Sequence, residues 1–394
     1  MMKVAVLGAS GLVGATVVSQ LASDPEIQIL PLIHSTGRAW RLARLGIDLE
    51  TADVMDLPQL TQKLQGCTHV VNCSRGPEPV MLKGIENILA ACRQAEIQRL
   101  VHLSSVSSYG DIKDISDVTE DQPIGEIHSA YSRIKAEQDR KVRAAVSKGL
   151  DCISLCPPMI TGVHAGFLTG LIKQIKSRRF ALVDEGNQPF PSADVLNVAH
   201  AIICALKTTH AVNGRVFVTD GRTATWSELA YGLAKPLGID HLIGRVSLEE
   251  ATRIIEKSEG PKASLTSAAK HLASSNVRDA LKRDPWFASA EKSAKKLILK
   301  MPNPVINKLK GSGGSGKVRR RVKPTDRLDG PGLWRQLRGL TFSIEKAMNQ
   351  LGYTPVVDFD ESLASFHRWY ADQTGINGEN ADLLKFLDPV PSAL

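Results

Sequence analysis

The feature that most constrains this chain lies in its first fourteen residues. Met1-Met2-Lys3-Val4-Ala5-Val6-Leu7 is a short apolar run, and Gly8-Ala9-Ser10-Gly11-Leu12-Val13-Gly14 follows with no spacer. The run is too short for the apolar core of a signal peptide and stops at glycine, so it reads as a buried strand. Glycine at 8, 11 and 14 suits a strand-to-helix turn: a tight reversal, then close backbone approach to a ligand, then close helix–strand packing. The N–H groups of Ser10, Gly11, Leu12 and Val13 fall where the helix dipole is positive. Such a helix start favours the pyrophosphate of a dinucleotide.

Beyond the turn, short β-branched runs at 3–7, 27–33, 68–72, 100–103 and 152–156 alternate with amphipathic stretches at 13–22, 83–95 and 130–148. Strict alternation predicts an α/β fold, a Rossmann-type doubly wound parallel sheet with a smaller C-terminal substrate-binding region. Residues 1–160 are expected to form the NAD(P)-binding domain. Residues 161–238 together with 331–394 form the substrate-binding region, and 239–330 a basic, partly flexible insertion. Helical periodicity resumes over 341–370. The insertion carries Gly311-Ser312-Gly313-Gly314-Ser315-Gly316, a linker by composition, natural or engineered.

Charge sharpens this division. Against a net charge of +8, eleven Lys and Arg fall between 292 and 323 with no Asp or Glu, leaving the rest of the chain at −3. The basicity thus belongs to one segment, no nucleic-acid motif accompanies it, and nucleic acid is not an expected partner. Ala294, Leu297, Ile298 and Met301 recur there at helical spacing among Lys292, Lys295, Lys296 and Lys300. Such a stretch suits an anionic membrane surface, an acidic partner, or a solvated helix packed on the enzyme body. Six cysteines lie in the first half, with no CxxC pair and no His at zinc-like spacing. Reduced thiols in a cytoplasmic setting, and no metal site, are the expectation. No apolar stretch approaches the ~18 to 20 residues of a membrane span.

An acidic residue about 20 positions past the glycine turn would bind the ribose 2′-OH of NAD. Here the second strand ends Pro31-Leu32-Ile33-His34-Ser35, with Arg38 close behind and no carboxylate. His34, Ser35 and Arg38 suit a 2′-phosphate, so NADP is the expected cofactor and NAD the alternative. Asp53, followed by Val54, either meets the adenine edge or caps a loop. Asn72 and Cys73 close the next strand on the cofactor side.

Tyr131-Ser132-Arg133-Ile134-Lys135 falls in a predicted helix, which puts Tyr131 and Lys135 on one face. A phenol is a poor acid or base at neutral pH, and a neighbouring ammonium favours its ionised form. Lys135 can also hold the nicotinamide ribose. Upstream, Ser104-Ser105-Val106-Ser107-Ser108-Tyr109-Gly110 runs off a strand at the sheet's C-terminal edge, where such folds place their substrates. Arg75, on the loop after Cys73-Ser74, either binds an anionic group or is a surface residue.

With these motifs in place, the chain resembles an extended short-chain dehydrogenase/reductase of the NAD-dependent epimerase/dehydratase clan. The match runs from Gly8, Gly11 and Gly14 through the Ser-Ser-x-x-x-Tyr-Gly stretch to Tyr131 and Lys135. It implies Ser105, four residues before Tyr109, as the third catalytic residue beside Tyr131 and Lys135. Asn87 matches a helix asparagine of the family. Cys156-Pro157-Pro158-Met159-Ile160-Thr161-Gly162 resembles the Arg-Pro-Pro-x-Ile-Tyr-Gly loop, which implies Pro157, Met159 and Ile160 beside the nicotinamide. Cys156 and Thr161 depart from it. Asp194, Asn197, Asp220, Lys346 and Leu351-Gly352-Tyr353-x-Pro355 resemble the 3β-hydroxysteroid and sterol dehydrogenase branch. The resemblance implies a small-molecule ketone or secondary alcohol as substrate, interconverted by hydride transfer with Tyr131 as proton donor and acceptor. An NDP-sugar epimerase or dehydratase with bound NAD is the alternative, and a non-catalytic sensor or scaffold the third option. A homodimer is compatible with all three.

Overall fold

The structure is a computed structural model that describes residues 1–110, 112, 117–127, 129–210, 212, 214–259 and 328–374. The linker at 311–316 and the basic stretch 292–323 lie outside the described residues, as does the side chain of Arg38. The chain divides into two compact units, 1–246 with 335–394, and 247–334. In the second unit Leu248–Glu259 is helical. Among the described residues no helix is long and apolar enough to cross a membrane, and the six cysteines are free thiols.

The first unit is built on strands β1 (Met2–Leu7), β2 (Ile27–Ile33), β3 (Glu50–Thr51), β4 (His69–Asn72), β5 (Arg99–Leu103), the short β6 (Asp117–Val118) and β7 (Cys152–Cys156). Helices α1 (Leu12–Leu21), α2 (Trp40–Ala43), α3 (Leu57–Leu64), α4 (Glu78–Gln94), α5 (Ala130–Val146), α6 (Gly166–Lys176) and α7 (Val195–Lys207) accompany them. Six of these strands and Gly214–Phe217 form one parallel sheet, ordered Gly214–Phe217, β7, β5, β4, β1, β2, β3. The edge strand Gly214–Phe217 therefore reaches the Rossmann sheet from beyond residue 160, pairing with β7. β6 stands apart and pairs with Thr341–Phe342.

Alternation along β1 assigns its side chains to two cores. Val4 and Val6 pack with α1 and α7, while Ala5 and Leu7 pack with α3, α4 and α5. Both faces are covered, which is why the strands read as near-continuous apolar runs. The order reverses between β1 and β4, and at such a switch point the carboxyl ends of the strands leave a crevice.

Two boundaries differ from the sequence expectation. α4 starts at Glu78, five residues before the predicted 83, because Pro79 sits in its first turn, where its missing N–H costs nothing. The expected helical stretch over 341–370 breaks into Thr341–Phe342, Glu345–Leu351 and Phe359–Thr374. Gly352, at φ +67°, ends the middle piece in the left-handed region.

Candidate active site

The glycine turn closes tightly on its neighbours. Gly8 has φ +75°, and a Cβ there would lie 2.8 Å from the Cys73 carbonyl carbon. A Cβ on Gly14 would lie 2.3 Å from the Gly8 carbonyl oxygen. The Gly11 N–H donates to that same oxygen at 2.9 Å, and Gly8 and Ala9 donate to Leu32 O. α1 begins on Gly11 with no side-chain cap, so its first N–H groups face the crevice between β1 and β4. A bare backbone cradle with an uncapped helix start fits a dinucleotide pyrophosphate, which Gly8, Ser10, Gly11, Leu12, Val13 and Gly14 could hold.

Around this cradle the expected cofactor residues separate into two groups. His34 and Ser35 stand exposed at the end of β2, and Ser35 caps the turn Thr36–Arg38 without a side-chain bond. Asp53 accepts from Met55 N at 2.9 Å, a local cap. Asn87 donates to Val54 O at 2.9 Å and Met55 O at 3.1 Å, so the family asparagine fixes that loop to α4. Asn72 accepts from the Ser74 N–H and hydroxyl, and its amide nitrogen faces His102 Nδ1 at 3.0 Å. Burial pushes the His102 imidazole down to about 3, which keeps it neutral. It is no acid–base group at ordinary pH.

Tyr131 and Lys135 share the inner face of α5, whose start is capped by Ser129 accepting from Ser132 N at 2.9 Å. Lys135 is only 5% exposed, and its ammonium donates to Leu103 O at 3.0 Å. Burial pushes that ammonium down to about 8. Burial also raises the Tyr131 phenol, while Arg75 and the Ser105 hydroxyl pull it back. Ser105 thus faces Tyr131, with its Oγ also accepting from Ser107 N at 3.2 Å. The Ser104 hydroxyl is buried and faces the Cys156 thiol. Pro157 O accepts from Val106 N at 3.2 Å, which ties the serine loop to the proline turn. Met159 and Ile160 follow in Met159–Thr161, paired with Ser192–Asp194. Of the two departures, Cys156 is fully buried with its thiol pushed up to about 12, and Thr161 is buried too. Cys156 lies close to Tyr131 and Lys135, whereas the Thr161 hydroxyl accepts from Ser362 Oγ at 3.5 Å.

Sequence reasoning missed one neighbour of this constellation. Asp139, one helical turn past Lys135, receives Arg215 Nε at 2.9 Å and Nη2 at 2.6 Å, and Arg143 Nε at 2.9 Å. The Arg215 guanidinium lies 4.3 Å from the Tyr109 ring centroid, and Tyr109 OH donates to Glu120 O at 2.8 Å. The signal was present as Lys135 and Asp139 at i, i+4. The branch-like residues of the later half also meet away from the crevice. Asp220 accepts from Asp194 N, Ser192 Oγ and Asn197 Nδ2, and Tyr353 OH donates to Thr219 O at 2.7 Å.

A glycine cradle at the switch point of a parallel sheet, facing a Tyr–Lys pair on one helix, defines a Rossmann-type dinucleotide-binding class. A model described as the NAD dependent epimerase/dehydratase family matches residues 4–219, and the chain belongs to that family. The chain is similar to a 4-hydroxy-2-methyl-3-oxo-4-farnesyl-3,4-dihydroquinoline-1-oxide ketoreductase of Stigmatella aurantiaca. The two are 27% identical over 64% of this chain and 78% of the relative. It is also similar to a decarboxylating sterol-4-alpha-carboxylate 3-dehydrogenase of Schizosaccharomyces pombe, 29% identical over 38% of this chain. There the match spans about half the relative's length, 47%. Among solved structures, a UDP-glucuronic acid 4-epimerase from Bacillus cereus in complex with NAD shares the fold. Its TM-score is 0.62 at 14% identity, covering 94% of this chain and 99% of that one.

Proposed function

We propose that this chain is an NAD(P)-dependent oxidoreductase that interconverts a ketone and a secondary alcohol. The observation that carries the reading is the placement of Tyr131, Lys135 and Ser105 around one point at the sheet's carboxyl edge, beside the glycine cradle. The nicotinamide, when bound, supplies or takes the hydride. Tyr131 gives its phenolic proton to the carbonyl oxygen in reduction and recovers it from the alcohol in oxidation. Ser105 hydrogen-bonds that same oxygen and fixes the carbonyl's direction. Lys135, charged below about pH 8, would hold the nicotinamide ribose when the cofactor is bound. The ketoreductase and dehydrogenase names of the relatives describe the same interconversion.

NADP is the preferred form in this reading. Exposed His34 and Ser35 replace the acidic residue that an NAD ribose would use. The reading is tested with Tyr131→Phe, which removes only the transferable proton. Turnover should fall about 10² to 10⁴-fold, with the dissociation constant for NADPH unchanged. A variant as active as the wild type would remove Tyr131 from the chemistry.

A further inference from the structure

Arg75 is unassigned by the reaction above, yet it stands inside the site. It follows Asn72, Cys73 and Ser74 on the loop leaving β4, and its guanidinium carbon lies 5.4 Å from the centroid of the Tyr131 ring. Its charge also reaches the Lys135 ammonium. Elsewhere in the unit, Arg99, Arg133, Arg143 and Arg215 each face a carboxylate at 3.7 Å or less. Arg75 has no carboxylate partner among the described residues, and it is exposed. An aromatic face attracts a guanidinium through the ring quadrupole, which positions the charge without neutralising it. The Arg75 charge therefore stands beside the phenol with no carboxylate among the described residues to neutralise it.

We propose that Arg75 receives an anionic group of the substrate, and that this group is a carboxylate one or two bonds from the reacting carbonyl carbon. The substrate is then an oxo acid in reduction, or a hydroxy acid in oxidation. This rests on the oxidoreductase reading of the same site. The carbonyl oxygen must come within hydrogen-bond reach of the Tyr131 hydroxyl, and the guanidinium lies over that same side chain. An anion bound there sits beside the reacting centre, whereas the diphosphate of a sugar nucleotide is several bonds from its reacting carbon. The planar fork of arginine matches a carboxylate with two parallel hydrogen bonds.

The probe is a 3-oxo fatty acid compared with its methyl ester, which keeps the ketone and removes the charge. Two readouts are taken: NADPH-dependent turnover in the wild type, and calorimetric binding to Tyr131→Phe with oxidised cofactor, which needs no turnover. The acid is expected to bind and react at least about tenfold better than the ester, the scale of one charge-assisted pair. Arg75→Gln should erase that preference by weakening the acid alone, and Arg75→Lys should restore part of it. Because Arg75 is exposed, both variants should melt with the wild type. Equal binding of acid and ester, or a preference that survives Arg75→Gln, overturns the proposal. So does Arg75-dependent binding of a UDP-sugar in preference to the acid. Arg75-dependent binding of the acid with no turnover supports the carboxylate site and sinks the oxidoreductase reading instead.

Discussion

Ser104 and Ser105 are adjacent in sequence but meet different surroundings. The Ser105 hydroxyl faces Tyr131, while that of Ser104 is buried against the Cys156 thiol. Ser105→Ala should therefore slow turnover, by less than Tyr131→Phe does, and Ser104→Ala should leave it near the wild-type value. If Ser104→Ala is the damaging change, the assignment of the third residue is in the wrong register. Lys135 carries a stability cost that can be read by pH. Its folded-state value of about 8 lies below its ordinary 10.5. Between those values the unfolded chain holds more protons, so stability rises with pH across that window. Lys135→Met should stabilise the cofactor-free protein at neutral pH by up to about 3 kcal/mol. The gain should shrink as pH rises through the window, while turnover is lost at every pH. Melting curves that show destabilisation at all pH values would contradict this.

The turn between β1 and α1 shows what periodicity and residue type convey well. Glycine at 8 and 14 is demanded by contacts under 3 Å, and the sequence carries that demand openly because no other residue fits. Gly14→Ala should cost about 1–3 kcal/mol through overpacking and weaken NADPH, whereas Gly166→Ala, with open space around it, should do neither. Equal behaviour of the two variants, measured by melting and by NADPH titration, would remove the cradle from cofactor binding. The strands were legible for the same reason, as buried apolar runs. Tyr131 and Lys135 were legible because helical spacing alone puts them on one face. What periodicity could not show were pairings between distant segments, such as Asp139 with Arg215 or Arg75 over Tyr131. Those depend on which strand neighbours which, and no local pattern records it. The start of α4 at Glu78 was not legible, because a proline inside a helical pattern and one in a helix's first turn look alike in sequence.

Across the first unit, Asn197 and Asp220 hold the later half together. Asn197 donates to Asp220 and Val357 O, and accepts from Val356 N and Val357 N at 2.8 and 3.0 Å. Asn197→Ala would strand these groups in the interior, and should cost about 3 kcal/mol without changing kcat/KM well below its melting temperature. A variant that melts like the wild type but loses activity would place Asn197 in the site instead. Such a scaffold leaves the substrate open, because the chemistry resides in a few side chains at the sheet's edge. The most direct discrimination is a native mass spectrum of the purified chain. A dehydrogenase or reductase exchanges its dinucleotide on each cycle, so the chain should appear without one and take up one NADPH per chain in preference to NADH. A chain carrying one retained NAD, undisplaced by NADPH, would contradict the reading and make it an epimerase or dehydratase.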